Sequence, residues 1–180
     1  MVITYSIQKE TAVEGDLQIT TSTILQHQKT GELSRVGTLR FYQEGLQTYR
    51  KELIFRGNTL CCSLDSTYLN EPESFPHYEC MYTRNLSGNE RSVAIVHEFF
   101  LGNTRYLEYD LGMYPVASYG NRKMAAVYDS SFSLQGTDLT YPVLARLQWG
   151  QTEGAVQEAT LQILREVPQE LCMAIILTLV

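Results

Sequence analysis

Turn signals containing glycine recur along this chain at nearly even intervals. Four Gly-Asn pairs begin at positions 57, 88, 102 and 120, and Thr-Gly, Glu-Gly and Gly-Thr pairs begin at 30, 44 and 136. Glycine and asparagine accept the positive φ of two-residue hairpin turns at low steric cost. When the longer breaks at 70–76 and 150–154 are included, successive breaks lie roughly 13 to 18 residues apart. This spacing leaves room for strands of about 10 to 12 residues, which is twice the usual length.

The segments between these breaks are rich in Thr, Val, Tyr, Ile and Phe, as pleated strands prefer. Long consecutive strands joined by tight turns predict an antiparallel up-and-down meander. A long meander tends to close on itself because closure leaves no strand edge unpaired. We therefore expect an all-β fold in which about 8 to 10 long strands close into a barrel. No linker or low-complexity stretch divides the chain, so residues 1–180 are expected to form one domain.

Two segments near the C-terminus have different patterns. In 155–167 apolar residues recur at helical spacing opposite a polar face, and Pro168 follows as a stop signal. We predict a short amphipathic helix over 155–167, with a strand as the alternative. The run 172–180 is apolar on both faces, which is typical of a strand that is covered on both sides.

Composition excludes several classes of partner and location. The chain has 14 basic and 20 acidic residues, a net charge of −6. A negative surface disfavours nucleic acid or an anionic membrane as the main partner. No signal peptide is expected at the N-terminus, and the run 172–180 is too short to span a bilayer as a helix. The four cysteines lack zinc-site spacing and the density of a disulfide scaffold, so we expect reduced thiols and a cytoplasmic protein.

Hairpin register predicts which side chains face the barrel interior, because a tight turn decides which residues lie opposite each other. The turns at 57–58 and 102–103 place Lys51 and Arg105 among apolar inward residues. The turn at 136–137 places Met124 opposite Trp149 on the same inner face. The polar and aromatic residues predicted to line the interior include Arg40, Tyr49, Lys51, Glu98, Arg105, Tyr109, Tyr128, Tyr141 and Trp149.

Cations inside a barrel need an explanation, because buried charges are costly unless they are paired or solvated. One interpretation is structural: Glu98 pairs with Arg105, while Lys51 and Arg40 extend to a barrel mouth. The other is a partly wet, aromatic-lined cavity whose cations bind an anionic, mostly apolar ligand. A lipid such as a fatty acid, or a tetrapyrrole with carboxylate tails, is a ligand of that kind. No metal site is indicated.

One pair of carboxylates is a catalytic candidate. Across the turn at 88–89, Glu79 is predicted to lie opposite Glu98, with His77 on the same face and Tyr109 on the adjacent strand. Two carboxylates in one apolar site raise the pKa of one of them, which suits acid–base chemistry. The alternative is a surface Glu79, because a register shift of one residue turns it outward.

The segment 91–101 is apolar on both faces. Its outer stripe consists of Val93, Ile95, Phe99 and Leu101, and such a stripe is unusual on a soluble monomer. We predict that helix 155–167 or a protein partner, such as a second copy in a homodimer, covers it.

A barrel of long antiparallel strands with one short helix resembles the calycin group, which includes lipocalins, fatty-acid-binding proteins and bilin-lyase-type barrels. The resemblance is one of topology; the Gly-x-Trp that marks lipocalins near the N-terminus is absent, since the sole tryptophan is Trp149. It implies an intracellular binding or carrier protein for an anionic, mostly apolar molecule. Two alternatives stay open. One is an enzyme in the same barrel, a chromophore lyase or isomerase using Glu98 with Glu79 or Tyr109. The other is a protein-interaction or assembly module with a dry barrel.

Overall fold

Antiparallel strands make up most of the fold. The computed structural model describes residues 1–44, 48–64, 77–84, 90–97, 105–110, 112–121, 123–129 and 142–180. These residues form β1 (Ile3–Glu14), β2 (Leu17–His27), β3 (Leu33–Glu44), β4 (Thr48–Phe55), β5 (Asn58–Leu64), β6 (His77–Arg84), β7 (Glu90–His97), β8 (Arg105–Tyr109), β9 (Gly112–Tyr119), β10 (Met124–Tyr128), β11 (Val143–Glu153), β12 (Val156–Ile163) and α1 (Gln169–Leu179). Consecutive strands pair antiparallel, and β1 also pairs with β12, so the order of paired strands closes into a ring. Among the described residues, no helix is long and apolar enough to cross a membrane.

The predicted antiparallel, mainly β structure is confirmed, but the described residues contain 12 strands rather than 8 to 10. The additional strands come from turns at Gly15 and Asp110, which were not predicted from the sequence, whereas the turn at Gly154 falls within the predicted break at 150–154. Positive φ at Gly15, Asp110 and Gly154 marks the tips of these three hairpins. The left-handed conformation costs glycine little, which explains two of the three tips.

The prediction of a helix over 155–167 is wrong. Residues 156–163 form β12, in which buried Ala159, Leu161 and Ile163 alternate with more exposed polar residues. Over so short a segment, apolar residues can fit both the helical period and the period of two. Pairing decides between them, because β12 hydrogen-bonds to β1 on one side and to β11 on the other.

The prediction of a strand over 172–180 is also wrong, because α1 occupies residues 169–179. All nine residues from Leu171 to Leu179 are buried, and a helix that is apolar all round belongs in a core. Pro168 occupies the N-cap position of α1 instead of ending a helix before it. A short apolar run carries no periodicity that distinguishes a covered strand from a buried helix.

Helix α1 lies inside the ring of strands, against β4, β7, β8 and β10. Its buried residues join the inward side chains of the strands in one hydrophobic core, among them Tyr5, Ile24, Leu53, Leu107, Leu147 and Leu161. About eight strands make a barrel that side chains alone can fill, and a larger ring needs additional material inside. Here α1 supplies that material.

The β4–β5 hairpin keeps its predicted faces. Arg56 and Gly57 have positive φ and form the turn, one residue earlier than predicted. The register therefore shifts by two residues, and Leu53 lies opposite Leu60. An even shift preserves the faces, so Lys51 and Leu53 belong to the inward set as expected.

The predicted face of β3 is reversed, and the inward placement of Arg40 is wrong. Arg40 is exposed, while its neighbour Leu39 is buried. Glu44 lies opposite Thr48, which differs from the register of the predicted two-residue turn, and Arg40 lies opposite Glu52. A bulge between Ile24 and Leu25 further displaces the pairing of β3 with β2.

The predicted face of β10 is reversed as well. Met124 lies opposite Gln148 rather than Trp149 and is 44% exposed, whereas Val127 is buried opposite Ala145. A bulge follows Val127, and the hydroxyl of Tyr128 forms a hydrogen bond with that of Tyr119 in an exposed position. Tyr128 therefore does not line the interior as predicted.

Candidate functional site

Two lysine side chains from the strands contact the C-terminal end of α1. Helix carbonyls in the last turn lack intrahelical partners and carry partial negative charge, yet the last turn of α1 contains no basic residue. Lys51 Nζ donates to the carbonyl oxygen of Leu177 at 2.9 Å, and Lys9 Nζ donates to that of Val180 at 3.4 Å. Two strands on different parts of the ring thus hold one end of the helix.

Each of these lysines also lies over an aromatic ring. Lys9 Nζ is 4.9 Å from the ring centroid of Trp149, and Lys51 Nζ is 5.7 Å from that of Phe41. Both distances are within the range of about 6 Å for cation–π attraction. All four side chains are half-buried. We refer to Lys9, Phe41, Lys51 and Trp149 as the lysine site.

Strand alternation explains why these side chains meet. Lys9 follows Ile7 by two residues on β1, so the two point to the same side. Ile7 and Trp149 both lie opposite Ala159 of β12, which brings β1 and β11 side chains to the same region. Phe41 and Lys51 are directly paired across β3 and β4.

Burial changes the electrostatics of Lys9. Partial removal from water lowers the pKa of Lys9 below its ordinary value, because desolvation penalises the ammonium form. An anion next to Nζ would oppose this effect. The site therefore favours negatively charged groups.

Tyr109, a predicted catalytic residue, lies at the other end of α1. Its hydroxyl donates to Glu170 Oε2 at 3.4 Å, and Glu170 is in the first turn of the helix. A helix of this length spans roughly 15 Å. Tyr109 is thus separated from the lysine site by the length of α1.

The predicted juxtaposition of Glu79 and Glu98 is wrong. The Cα of Glu79 is paired with those of Ser63 and Ile95, and His77 is paired with His97. A bulge after Cys80 displaces this register, and nothing in the sequence marks it. Glu98 lies outside the described residues, so the enzyme alternative, in which Glu98 acts with Glu79 or Tyr109, stays a prediction.

Three other predicted site residues are described by their backbone or not at all. Arg105 lies two residues before buried Leu107 on β8, and Tyr49 two residues before Lys51 on β4. Both positions are in phase with the inward set. Tyr141 lies outside the described residues. The side chains of 91–97 are not described and residues 98–101 lie outside the description, so a covered outer stripe stays a prediction.

Two members of the lysine site, Lys51 and Trp149, were predicted from the sequence to face inward, and the other two were not. Lys9 continues the alternation of Tyr5 and Ile7, a signal that was present in the sequence. Phe41 was not predicted, because the predicted register of β3 placed Arg40 inward and therefore its neighbour Phe41 outward. Among the described residues, no group of His, Cys, Asp and Glu side chains could hold a metal ion.

Comparison with protein-family models, curated proteins and solved structures found no match to this chain.

Proposed function

We propose that this chain is a binding or carrier protein for an anionic, mostly apolar small molecule, such as a fatty acid or a carboxylate-bearing tetrapyrrole. The observation that carries the proposal is the pair of half-buried lysines, each against an aromatic ring, on the inner side of the strands. The ammonium groups suit a carboxylate, and the rings suit an apolar body. The likeness to calycin barrels leads to the same proposal by analogy.

The ligand would enter at the end of the barrel beyond the C-terminus of α1. Lys9 contacts the carbonyl of Val180 at the end of the helix, and β1 continues from there to Glu14. These five further residues extend roughly 16 Å. Thr11, two residues beyond Lys9 on the same side, is exposed. The carboxylate would rest beside the lysines, on the end of α1.

Lys9 retains hydrogen-bonding capacity for such an anion. An ammonium group has three N–H donors, and the described structure shows one hydrogen bond from Lys9, to Val180. An anion bound to the other donors would compensate for the desolvation that lowers the pKa of Lys9. Binding and charge stabilisation would thus occur at the same atom.

Arg105 is proposed as a further cationic contact. From Tyr109, which bonds to the first turn of α1, β8 runs back to Arg105 over roughly 13 Å. Leu177 lies roughly 10 Å along α1 from Glu170. Barrel strands are usually tilted, so the distance along β8 corresponds to a shorter distance along α1. The backbone of Arg105 therefore lies at about the same height along α1 as the lysine site.

The fluorescence of Trp149 provides a direct test, since it is the sole tryptophan and part of the site. We expect oleate at low micromolar concentration to change this fluorescence and its uncharged analogue oleyl alcohol to bind more weakly. Lys9→Met should weaken oleate binding about ten- to a hundredfold, the effect of losing one charged hydrogen bond, and Arg105→Leu should also weaken it. The matched control is Lys29→Met, because Lys29 is exposed in the β2–β3 turn. Equal binding of oleate and oleyl alcohol, or an unchanged oleate affinity in Lys9→Met, would contradict the proposal.

A second candidate is the assembly module with a dry barrel. The observation that favours it is the filling of the ring by α1, whose residues 171–179 are all buried. In this case neither oleate nor the tetrapyrrole biliverdin binds. Ile95→Lys, on the predicted outer stripe, would then lower the molecular mass in solution from that of a dimer to that of a monomer.

A further inference from the structure

A shallow groove of about 400 Å³ lies against β3 and β4, around exposed Arg40. Seven residues line it: Arg35, Val36, Gly37, Thr38, Arg40, Glu52 and Ile54. Arg40 and Lys51 belong to opposite alternation sets of the paired strands, so Arg40 lies on the other side of the sheet from the lysine site. A volume of this size accommodates one or two side chains of a partner.

Among the residues that the structure describes, none is an interaction partner of the Arg40 guanidinium. It is directly opposite Glu52, an arrangement in which opposite charges commonly pair. Glu52 Oε2 is instead 3.2 Å from Arg50 Nη2 and accepts a hydrogen bond from Cys61 Sγ at 3.9 Å. Within the described part of the chain, Arg40 makes no hydrogen bond or ion pair.

The rest of the groove combines a second guanidinium with an apolar surface. Arg35 Nη2 donates to Thr38 Oγ1 at 2.7 Å, which holds Arg35 at the groove. Ile54 is 43% exposed. Arginine beside exposed apolar surface is typical of the residues that carry binding energy in protein interfaces.

We infer that this groove binds an acidic, partly apolar segment of another protein, with a carboxylate on Arg40 and an adjacent apolar side chain on Ile54. Charge complementarity favours a carboxylate, because the groove contains two arginines and only one glutamate. The carboxylate of that glutamate, Glu52, already accepts hydrogen bonds from Arg50 and Cys61. A polyanion such as nucleic acid is disfavoured by Glu52 in the groove and by the net charge of −6. The inference is independent of the proposed lumenal ligand.

The test uses a fluorescein-labelled, capped peptide of sequence Glu-Leu-Glu-Ile-Asp and a matched peptide in which Gln and Asn replace the acidic residues. We expect the acidic peptide to bind the full chain at least tenfold more tightly, as measured by fluorescence anisotropy. Arg40→Gln should reduce its affinity tenfold or more, and Ile54→Thr should reduce it as well. Arg146→Gln is the matched control, because Arg146 is an exposed arginine on β11. Lys9→Met should leave peptide binding unchanged, so the two proposals can fail separately.

Three results would overturn the inference. The first is equal binding of the acidic and amide peptides. The second is unchanged affinity in Arg40→Gln, a variant whose fold can be verified by an unchanged free energy of unfolding, since surface substitutions usually alter stability little. The third is a concentration-dependent increase in molecular mass that Arg40→Gln abolishes, which would make a second copy of this chain the occupant.

Discussion

At the scale of single residues, the contact between Tyr5 and Cys172 joins the barrel wall to α1. The Tyr5 hydroxyl lies 4.0 Å from the Cys172 sulfur, and both side chains are buried. Burial raises the pKa of both groups, because it penalises the phenolate and the thiolate. The folded state therefore holds these protons at a pH where the unfolded chain has begun to release them.

The sign of the pH dependence follows from these raised pKa values. The stabilisation is fully present below the ordinary pKa values, 9.0 for the thiol and 10.0 for the phenol, and it is lost as pH rises above them. We predict that the free energy of unfolding falls between pH 9 and pH 11. In Tyr5→Phe, which removes the phenolic proton, it should fall less steeply above pH 10. Urea unfolding of both proteins across this range tests the prediction, and parallel curves would contradict it.

At the scale of elements, α1 is a helix with no solvent-facing side. Met173 and Ile175 are fully buried, and two residues correspond to about 200° around a helix. We predict that Met173→Ala and Ile175→Ala each lower the free energy of unfolding by about 2–5 kcal/mol, the usual cost of such a cavity in a core. Urea denaturation measures both. A loss confined to one of the two variants would show that α1 packs through one face only.

At the scale of the whole molecule, closure of the ring depends on pairing between the first and last strands. Gln8 and Glu158 are directly paired across β1 and β12, and both are exposed. Directly paired antiparallel residues have Cα atoms about 4.5–5.5 Å apart, within the range for a disulfide. The variant Gln8→Cys/Glu158→Cys should therefore cross-link on mild oxidation.

The control for closure is Gln8→Cys/Gln157→Cys, in which the two side chains point to opposite sides of the sheet. Peptide mapping by mass spectrometry should detect the first link and not the second. The link encloses most of the chain, so it should raise the free energy of unfolding by several kcal/mol. Failure of the first pair to cross-link would mean that the sheet is open between β1 and β12.

The sequence by itself determined the hairpin character of the chain, since turn chemistry acts within a few residues. Arg56–Gly57 and Gly120–Asn121 have positive φ at both residues, at or within one residue of the predicted turns. The inner faces of β4 and β11 were also predictable from alternation, and with them Lys51 and Trp149. Loop length and bulges are less visible in a sequence. For this reason Arg40, Met124 and Tyr128 were assigned to the wrong side and Phe41 was missed.

Only the tertiary structure decided which secondary structure residues 156–163 and 169–179 adopt. Each segment is short and apolar enough to suit either a strand or a helix. The first became β12 because β1 and β11 both offered it unpaired backbone groups. The second became α1 because a ring of 12 strands has an interior that wall side chains do not fill, and a helix satisfies its own backbone hydrogen bonds there. Lys51 donates a hydrogen bond to the end of α1. This partner exists only because 169–179 forms a helix inside the ring, so it could not be deduced from the sequence of β4.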